Sequence, residues 1–158
     1  MKPQHFLALA FAQVLWGANF AVLKLGLDTW PPLFFVTLRL GAVGLLLLPF
    51  VGLPKRSQLP GLLLLALLLG VIHFGTLFTG IARVDAATSS IIIQIQVPLS
   101  VLAAAAFFGD RIGWRRWSGM ALSIGGIALL VGRPAFQGGW MGVGLILAAS
   151  VSWIAANL

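Results

Sequence analysis

Polar residues recur at four-residue spacing in an otherwise apolar stretch near the middle of the chain. Ser90, Gln94 and Pro98 would share one face of a helix, with Gln96 pointing elsewhere. Proline lacks a backbone N–H and frees a carbonyl for solvent or a ligand. An amide in hydrocarbon needs a hydrogen-bond partner or a wet cavity. The pattern indicates that Gln94, Gln96 and Pro98 line a cavity, or that two glutamines bond between helices beside an ordinary proline.

A second polar set lies near the N-terminus. One helix face would carry Trp16, Asn19, Phe20, Leu23 and Lys24, at spacings of three and four residues. Trp16 and Asn19 are candidates for the same cavity, although ordinary helix packing also accounts for the aromatic residues. The ammonium of Lys24 would reach back to the membrane interface along its aliphatic stem.

Arg39 lies inside an apolar run, where a guanidinium costs roughly 3 kcal/mol or more unless it is paired or faces water. The chain contains no glutamate, and its aspartates are predicted to lie in loops. Arg39 could therefore cap backbone carbonyls, reach Asp28 or Asp85, or bind an anionic substrate group. All three interpretations stay open from the sequence.

His73 is the remaining candidate, because its imidazole could titrate near neutrality. The alternative is a histidine with satisfied hydrogen bonds, with Thr76 one turn away. The chain has no cysteine, and no arrangement of metal ligands or of nucleophile and base is visible. We therefore expect no metal, no cofactor and no enzymatic activity.

The elements that would hold these residues are apolar runs of membrane-spanning length. The chain of 158 residues is 60% hydrophobic and 8% charged, whereas a soluble domain carries roughly 25% charged residues. About 20 apolar residues cross the bilayer core. The runs predict an all-α integral membrane protein with helices near residues 6–27, 33–51, 62–82, 86–108, 117–131 and 140–158.

The distribution of basic residues predicts the orientation. With the N-terminus in the cytoplasm, the basic residues inside would be Lys2, Lys55, Arg56, Arg111, Arg115 and Arg116, against Arg83 and Arg133 outside. We therefore predict a multi-pass protein of a bacterial inner membrane with a cytoplasmic N-terminus. The net charge of +7 is scattered at helix ends and forms no basic stripe, so we expect no nucleic-acid partner.

An internal repeat relates the first helix to the sixth. A shift of 137 positions places Trp16 on Trp153 and Ala18 on Ala155 without a gap. Five helices separate the copies, an odd number, so the sixth helix would cross the membrane in the opposite sense. Such inverted repeats are typical of transporters whose substrate site lies near the midplane. We predict a five-helix repeat over residues 1–132, with a connecting loop and the first helix of a second repeat over 133–158.

Small residues recur every fourth position along that last helix. The stripe consists of Gly144, Ala148, Ser152 and Ala156. Small side chains let another helix approach closely, so we predict a helix-packing surface and not a substrate contact.

Several of these motifs together resemble the EamA-type proteins of the drug/metabolite transporter superfamily, in particular bacterial exporters of O-acetylserine and cysteine. The resemblance spans nearly the whole chain and rests on Trp16-Gly17-Ala18-Asn19-Phe20 with Lys24, Pro31-Pro32 before Leu38-Arg39, Gln94-Ile95-Gln96-Val97-Pro98, Phe108-Gly109-Asp110-Arg111-Ile112 and Ser152-Trp153. Many relatives have Gly-Glu-Arg where this chain has Gly-Asp-Arg.

This resemblance implies ten helices in two inverted five-helix repeats and efflux of amino acids or related metabolites. We expect the partners to be the lipid bilayer, a small-molecule substrate, and a second repeat or another copy of the chain. Because most of the second repeat is absent, we expect the chain to be incomplete and unable to export alone. The alternative is a membrane half-molecule that associates with other helices without transport.

Overall fold

Each predicted apolar run folds as a helix. The computed structural model describes residues 3–52, 54–132 and 139–158. Its α-helices are α1 (Pro3–Thr29), α2 (Pro32–Leu47), α3 (Leu59–Leu65), α4 (Phe74–Ile81), α5 (Ala86–Ile92), α6 (Gln96–Phe108), α7 (Trp114–Val131) and α8 (Trp140–Asn157). Short 3-10 turns at Leu48–Phe50 and Arg56–Gln58 extend α2 and precede α3.

Two of the membrane spans are interrupted in the middle. A π-helical segment, Ala66–His73, joins α3 to α4 into one continuous span. A 3-10 turn, Ile93–Ile95, joins α5 to α6 into another. We call these composite helices span 3 and span 4. π segments are rare and frequently mark functional sites, and a 3-10 stretch inside a helix often marks a hinge or strain.

The all-α membrane fold is confirmed. Within the described residues, five helices have the length and apolarity of a membrane span: Gln4–Thr29, Pro32–Phe50, Arg56–Ile81, Ala86–Phe108 and Trp140–Asn157. A further long helix, α7, has 18 residues, but its first turn carries Arg115 and Arg116, which lower its mean hydropathy. Asp28, expected in a loop, instead lies in the last turn of α1. The predicted basic residues Lys2 and Arg133 lie outside the described residues.

The packed core sits where α8 crosses α4. Phe78, Ile81, Ile146 and Ala149 are at most 1% exposed there. Helix α8 also packs against the π segment, α5 and α6, while α1 packs mainly against α5 and α2 packs on α4. The sixth predicted helix therefore lies against spans 3 and 4, which brings residues from five spans to one place.

The C-terminus of α4 is capped by a charged side chain from α1. The Nζ of Lys24 donates to the carbonyl oxygens of Ile81 at 3.4 Å and Ala82 at 3.2 Å, and lies 3.9 Å from the carboxylate of Asp28. Lysine at a helix C-terminus satisfies carbonyls that have no partner within the helix. Lys24 thus fastens α1 to the end of α4 instead of only reaching the membrane interface.

Candidate functional site

A cavity of about 190 Å³ lies among α1, α2, span 3, span 4 and α8. Four polar side chains line it, namely Asn19, Arg39, His73 and Gln96. Five aromatic rings complete much of the wall, from Trp16, Phe20, Phe74, Phe78 and Trp153. The structure therefore brings together five of the seven residues that the sequence proposed for a cavity. We refer to this space as the central cavity.

Arg39 is held by a neighbour from another helix. Its Nη2 donates a hydrogen bond of 3.1 Å to the Oδ1 of Asn19, and its Cζ lies 5.9 Å from the ring centroid of Phe78. Arg39 lies about 10 Å along α2 from its first residue, well inside the span. Among the described residues it forms no ion pair with Asp28 or Asp85, and Lys24 forms the one salt bridge.

His73 joins span 3 to α8. Its Nδ1 lies 2.7 Å from the backbone carbonyl oxygen of Ala149, and its ring centroid lies 5.1 Å from that of Trp153. A carbonyl oxygen can only accept, so Nδ1 carries the proton in this bond. His73 is buried, with 3% of its surface exposed. This bond agrees with the alternative of a histidine whose hydrogen bonds are satisfied. The ring also lines the central cavity.

The π segment supplies a second contact to α8. The hydroxyl of Ser152 donates to the carbonyl oxygen of Leu68 at 2.7 Å. Leu68 lies within the π segment, where the regular backbone hydrogen bonding of an α-helix is displaced. Two polar contacts, from His73 and Ser152, therefore fix α8 to span 3 inside the membrane.

The 3-10 turn in span 4 lies between Ser90 and Pro98, two of the residues that the sequence placed on one face. The missing N–H of Pro98 leaves the turn before it free to tighten, and the N–H of Gln96 bonds to the carbonyl of Ile93. Gln96 consequently lines the central cavity, whereas Gln94 and Ser90 line a neighbouring space of about 260 Å³. Pro98 is buried beside α7. Ser90 and Gln94 share a face as predicted, whereas Pro98 lines a different space.

One donor of this site has no partner. The Nε2 of Gln96 is buried and makes no hydrogen bond within the described part of the chain. A buried amide donor without a partner costs about 1–3 kcal/mol. Because the side chain of Gln96 also lines the central cavity, this unused donor makes Gln96 a candidate ligand contact.

The closest approach of α8 to α4 is at Gly142, which is not part of the predicted stripe. A Cβ on Gly80 would lie 2.9 Å from the carbonyl oxygen of Gly142, and a Cβ on Gly142 would lie 2.7 Å from Cγ2 of Val84. Gly144 and Ala148 are exposed, Ser152 is buried and Ala156 is half-buried. The contact to α4 therefore runs through Gly142, and the stripe as a packing surface stays a prediction.

The sequence did not propose Phe74, Phe78 or Trp153 for the cavity, nor its other apolar lining residues. A signal for Trp153 existed, because the repeat places it on Trp16 and both rings line the central cavity. Phe74 and Phe78 follow the π segment, which no spacing in the sequence revealed. Within the described residues, no group of three His, Cys, Asp or Glu side chains could hold a metal ion.

Comparison with known proteins gives consistent matches. The sequence profile of the EamA-like transporter family matches residues 5–132. The chain is 34% identical over 161 residues to the uncharacterized inner membrane transporter YedA of Escherichia coli (strain K12), covering 94% of this chain and 50% of that protein. It is 34% identical over 149 residues to a probable amino-acid metabolite efflux pump of the same strain, covering 92% and 49%. The chain thus spans about half the length of the curated relatives it matches. No solved structure matches it.

Proposed function

Because this chain belongs to the EamA-like transporter family, we propose that it is the first repeat of a secondary exporter of small polar metabolites. Amino acids or O-acetylserine and cysteine are the substrate class that we propose. One relative is named a probable amino-acid metabolite efflux pump, which supports this class. The central cavity would form one side of the substrate path.

The observation that carries this proposal is the convergence of polar groups inside the membrane. Asn19, Arg39 and Gln96 come from three different spans and line one cavity. Polar groups within spans are costly and mark substrate pathways when they face a common space. A purely structural bundle would gain nothing from the unpartnered amide of Gln96.

We further propose that the N-terminus is cytoplasmic. Five described basic residues then lie on the inner side, namely Lys55, Arg56, Arg111, Arg115 and Arg116, with Arg83 outside. The chain would lie in a bacterial inner membrane, as does the relative from Escherichia coli by its name.

The experiment measures efflux of labelled amino acids and O-acetylserine from proteoliposomes. The chain is reconstituted alone or together with a separately expressed second half of the Escherichia coli amino-acid metabolite efflux pump. We expect saturable efflux from the two-part preparation and none from the chain alone. Absence of efflux in both, with the two polypeptides inserted and co-purifying, would contradict the proposal.

That negative outcome would favour the alternative, a half-molecule that associates with other helices without transport. The close approach of Gly80 and Gly142 supports this alternative, since it shows that small residues bring two helices of the chain into close contact. The alternative does not explain why Arg39 and Gln96 face one cavity.

A further inference from the structure

The central cavity has an unbalanced positive charge. The guanidinium of Arg39 lines it, and none of the described lining residues is an aspartate or a glutamate. The nearest acidic group of α1, Asp28, pairs with Lys24 instead. A charge inside a membrane span is stabilised by an opposite charge or by water. The cavity is therefore electrostatically suited to an anionic group.

The hydrogen-bonding groups of the wall are mainly donors. A guanidinium has five N–H donors and no acceptor, and one hydrogen bond of Arg39 goes to Asn19. Gln96 lines the same wall, and its Nε2 is buried without a hydrogen-bond partner in the described part of the chain. The Oδ1 of Asn19 is already engaged as an acceptor. A carboxylate, which only accepts and offers about four lone pairs, complements this arrangement.

The rest of the wall is apolar and aromatic. Trp16 and Trp153 line the cavity from two different helices, and Phe74 and Phe78 line it from span 3. The volume of about 190 Å³ equals roughly six water molecules at about 30 Å³ each. This space suits the flat or aliphatic body of a small organic acid.

We propose that the central cavity binds the carboxylate of a small organic acid, with Arg39 and Gln96 on the carboxylate and the aromatic rings against the apolar body. A ligand ammonium would find no acidic partner here and would be repelled by Arg39. The ammonium of an amino acid would need acceptors outside this lining. The inference rests on the proposed function for its role in transport, but binding is measurable without transport.

The test is equilibrium binding to the chain in nanodiscs of phosphatidylcholine. Radiolabelled 3-phenylpropanoate is the probe, and 3-phenylpropanamide, phenethylamine and phenylalanine compete with it. We expect the amide and the amine to compete at least about tenfold more weakly than unlabelled 3-phenylpropanoate. Phenylalanine should compete no better than the acid. Equal competition by acid and amide, or no saturable binding, would overturn the proposal.

Variants test the two donors separately. Arg39→Gln and Gln96→Leu should each weaken 3-phenylpropanoate binding at least about tenfold, and Gln96→Glu should weaken it further by adding a negative charge. Arg116→Gln is the matched control, because Arg116 is exposed and lies outside the central cavity. If Arg39→Gln fails to fold, the proposal is still tested by Gln96→Leu and by the competition among the acid, amide and amine on the unmodified chain. Unchanged binding in a folded Arg39→Gln or Gln96→Leu variant would overturn the assignment.

The outcomes separate this inference from the proposed function. Carboxylate-selective binding without efflux from the two-part preparation would contradict export and leave the anion site standing. Efflux of a metabolite with no binding of 3-phenylpropanoate would leave export standing and overturn the anion site.

Discussion

The imidazole Nδ1 of His73 lies 2.7 Å from the backbone carbonyl oxygen of Ala149. This hydrogen bond connects span 3 with α8, the helix that the internal repeat relates to α1. The ring of Trp153 lies 5.1 Å from the same imidazole. One residue thus fixes both the position of α8 and part of the wall of the central cavity.

Replacing His73 with phenylalanine should therefore destabilise the chain. His73→Phe keeps a ring beside Trp153 but donates no hydrogen bond, so the free energy of unfolding should fall by about 0.5–2 kcal/mol. Unfolding in mixed micelles, followed by circular dichroism, measures the change. His5→Phe is the control, since His5 is exposed and should leave the free energy of unfolding unchanged. Equal values for both variants would contradict the role of this bond.

The crossing of α4 and α8 should be sensitive to one added methyl group. A Cβ on Gly142 would meet Val84 at 2.7 Å, whereas a Cβ on Gly144 would meet nothing within 4 Å. Gly142→Ala should lower the free energy of unfolding by about 1–3 kcal/mol. Gly144→Ala should change it by less than about 0.5 kcal/mol. The same micelle titration compares them, and a larger loss from Gly144→Ala would place the helix contact on the predicted stripe.

Asp85 should make the stability of α5 depend on pH. Its carboxylate accepts a hydrogen bond of 2.8 Å from the N–H of Thr88 at the helix N-terminus. Partial burial alone would raise the pKa of Asp85, but hydrogen bonds from the Thr88 side chain and nearby backbone N–H groups outweigh it and lower the pKa. Because the pKa is lowered on folding, the Asp85 carboxylate stabilises the folded state fully above the unfolded-state pKa of about 3.9. This stabilisation is lost as the pH falls through the folded-state pKa.

Asp85→Ala should accordingly cost about 1 kcal/mol at pH 7. The difference in the free energy of unfolding between Asp85→Ala and the unmodified chain should shrink as the pH falls below about 4. Asp85→Asn, which keeps an acceptor without a titrating proton, should cost less at pH 7 and show no such dependence. A constant difference between Asp85→Ala and the unmodified chain across this range would contradict the assignment.

The orientation predicts the outcome of reporter fusions. Alkaline phosphatase is active only outside the cytoplasm, so a fusion after Gly113 should be inactive and one after Gly132 should be active. This prediction rests on the basic residues that would lie in the cytoplasm, namely Lys55, Arg56 and the arginines that flank Gly113. The reverse pattern, with both fusions equally abundant, would place the N-terminus outside.

The spans were predictable from the sequence because the bilayer fixes how many apolar residues a helix needs. The π segment that ends at His73 and the 3-10 turn before Gln96 were not predictable, because the first packs against α8 and the second depends on the backbone around Pro98. For the same reason the sequence placed Gln94 and Pro98 on one face, whereas in the structure they line different spaces. Spacing also revealed a stripe of small residues on α8 but could not tell which face meets α4.

The most direct test of the central claim, that this cavity lies on the substrate path, uses single cysteines. The chain has no cysteine of its own, so Asn19→Cys places one thiol in the cavity and Ser57→Cys places one in the exposed turn before α3. Both variants are reconstituted with the second half of the Escherichia coli efflux pump and labelled with a charged methanethiosulfonate reagent, with mass spectrometry to verify labelling. We predict that labelling at position 19 lowers efflux at least about tenfold, while labelling at position 57 leaves it unchanged. Undiminished efflux from fully labelled Asn19→Cys carriers would contradict the claim.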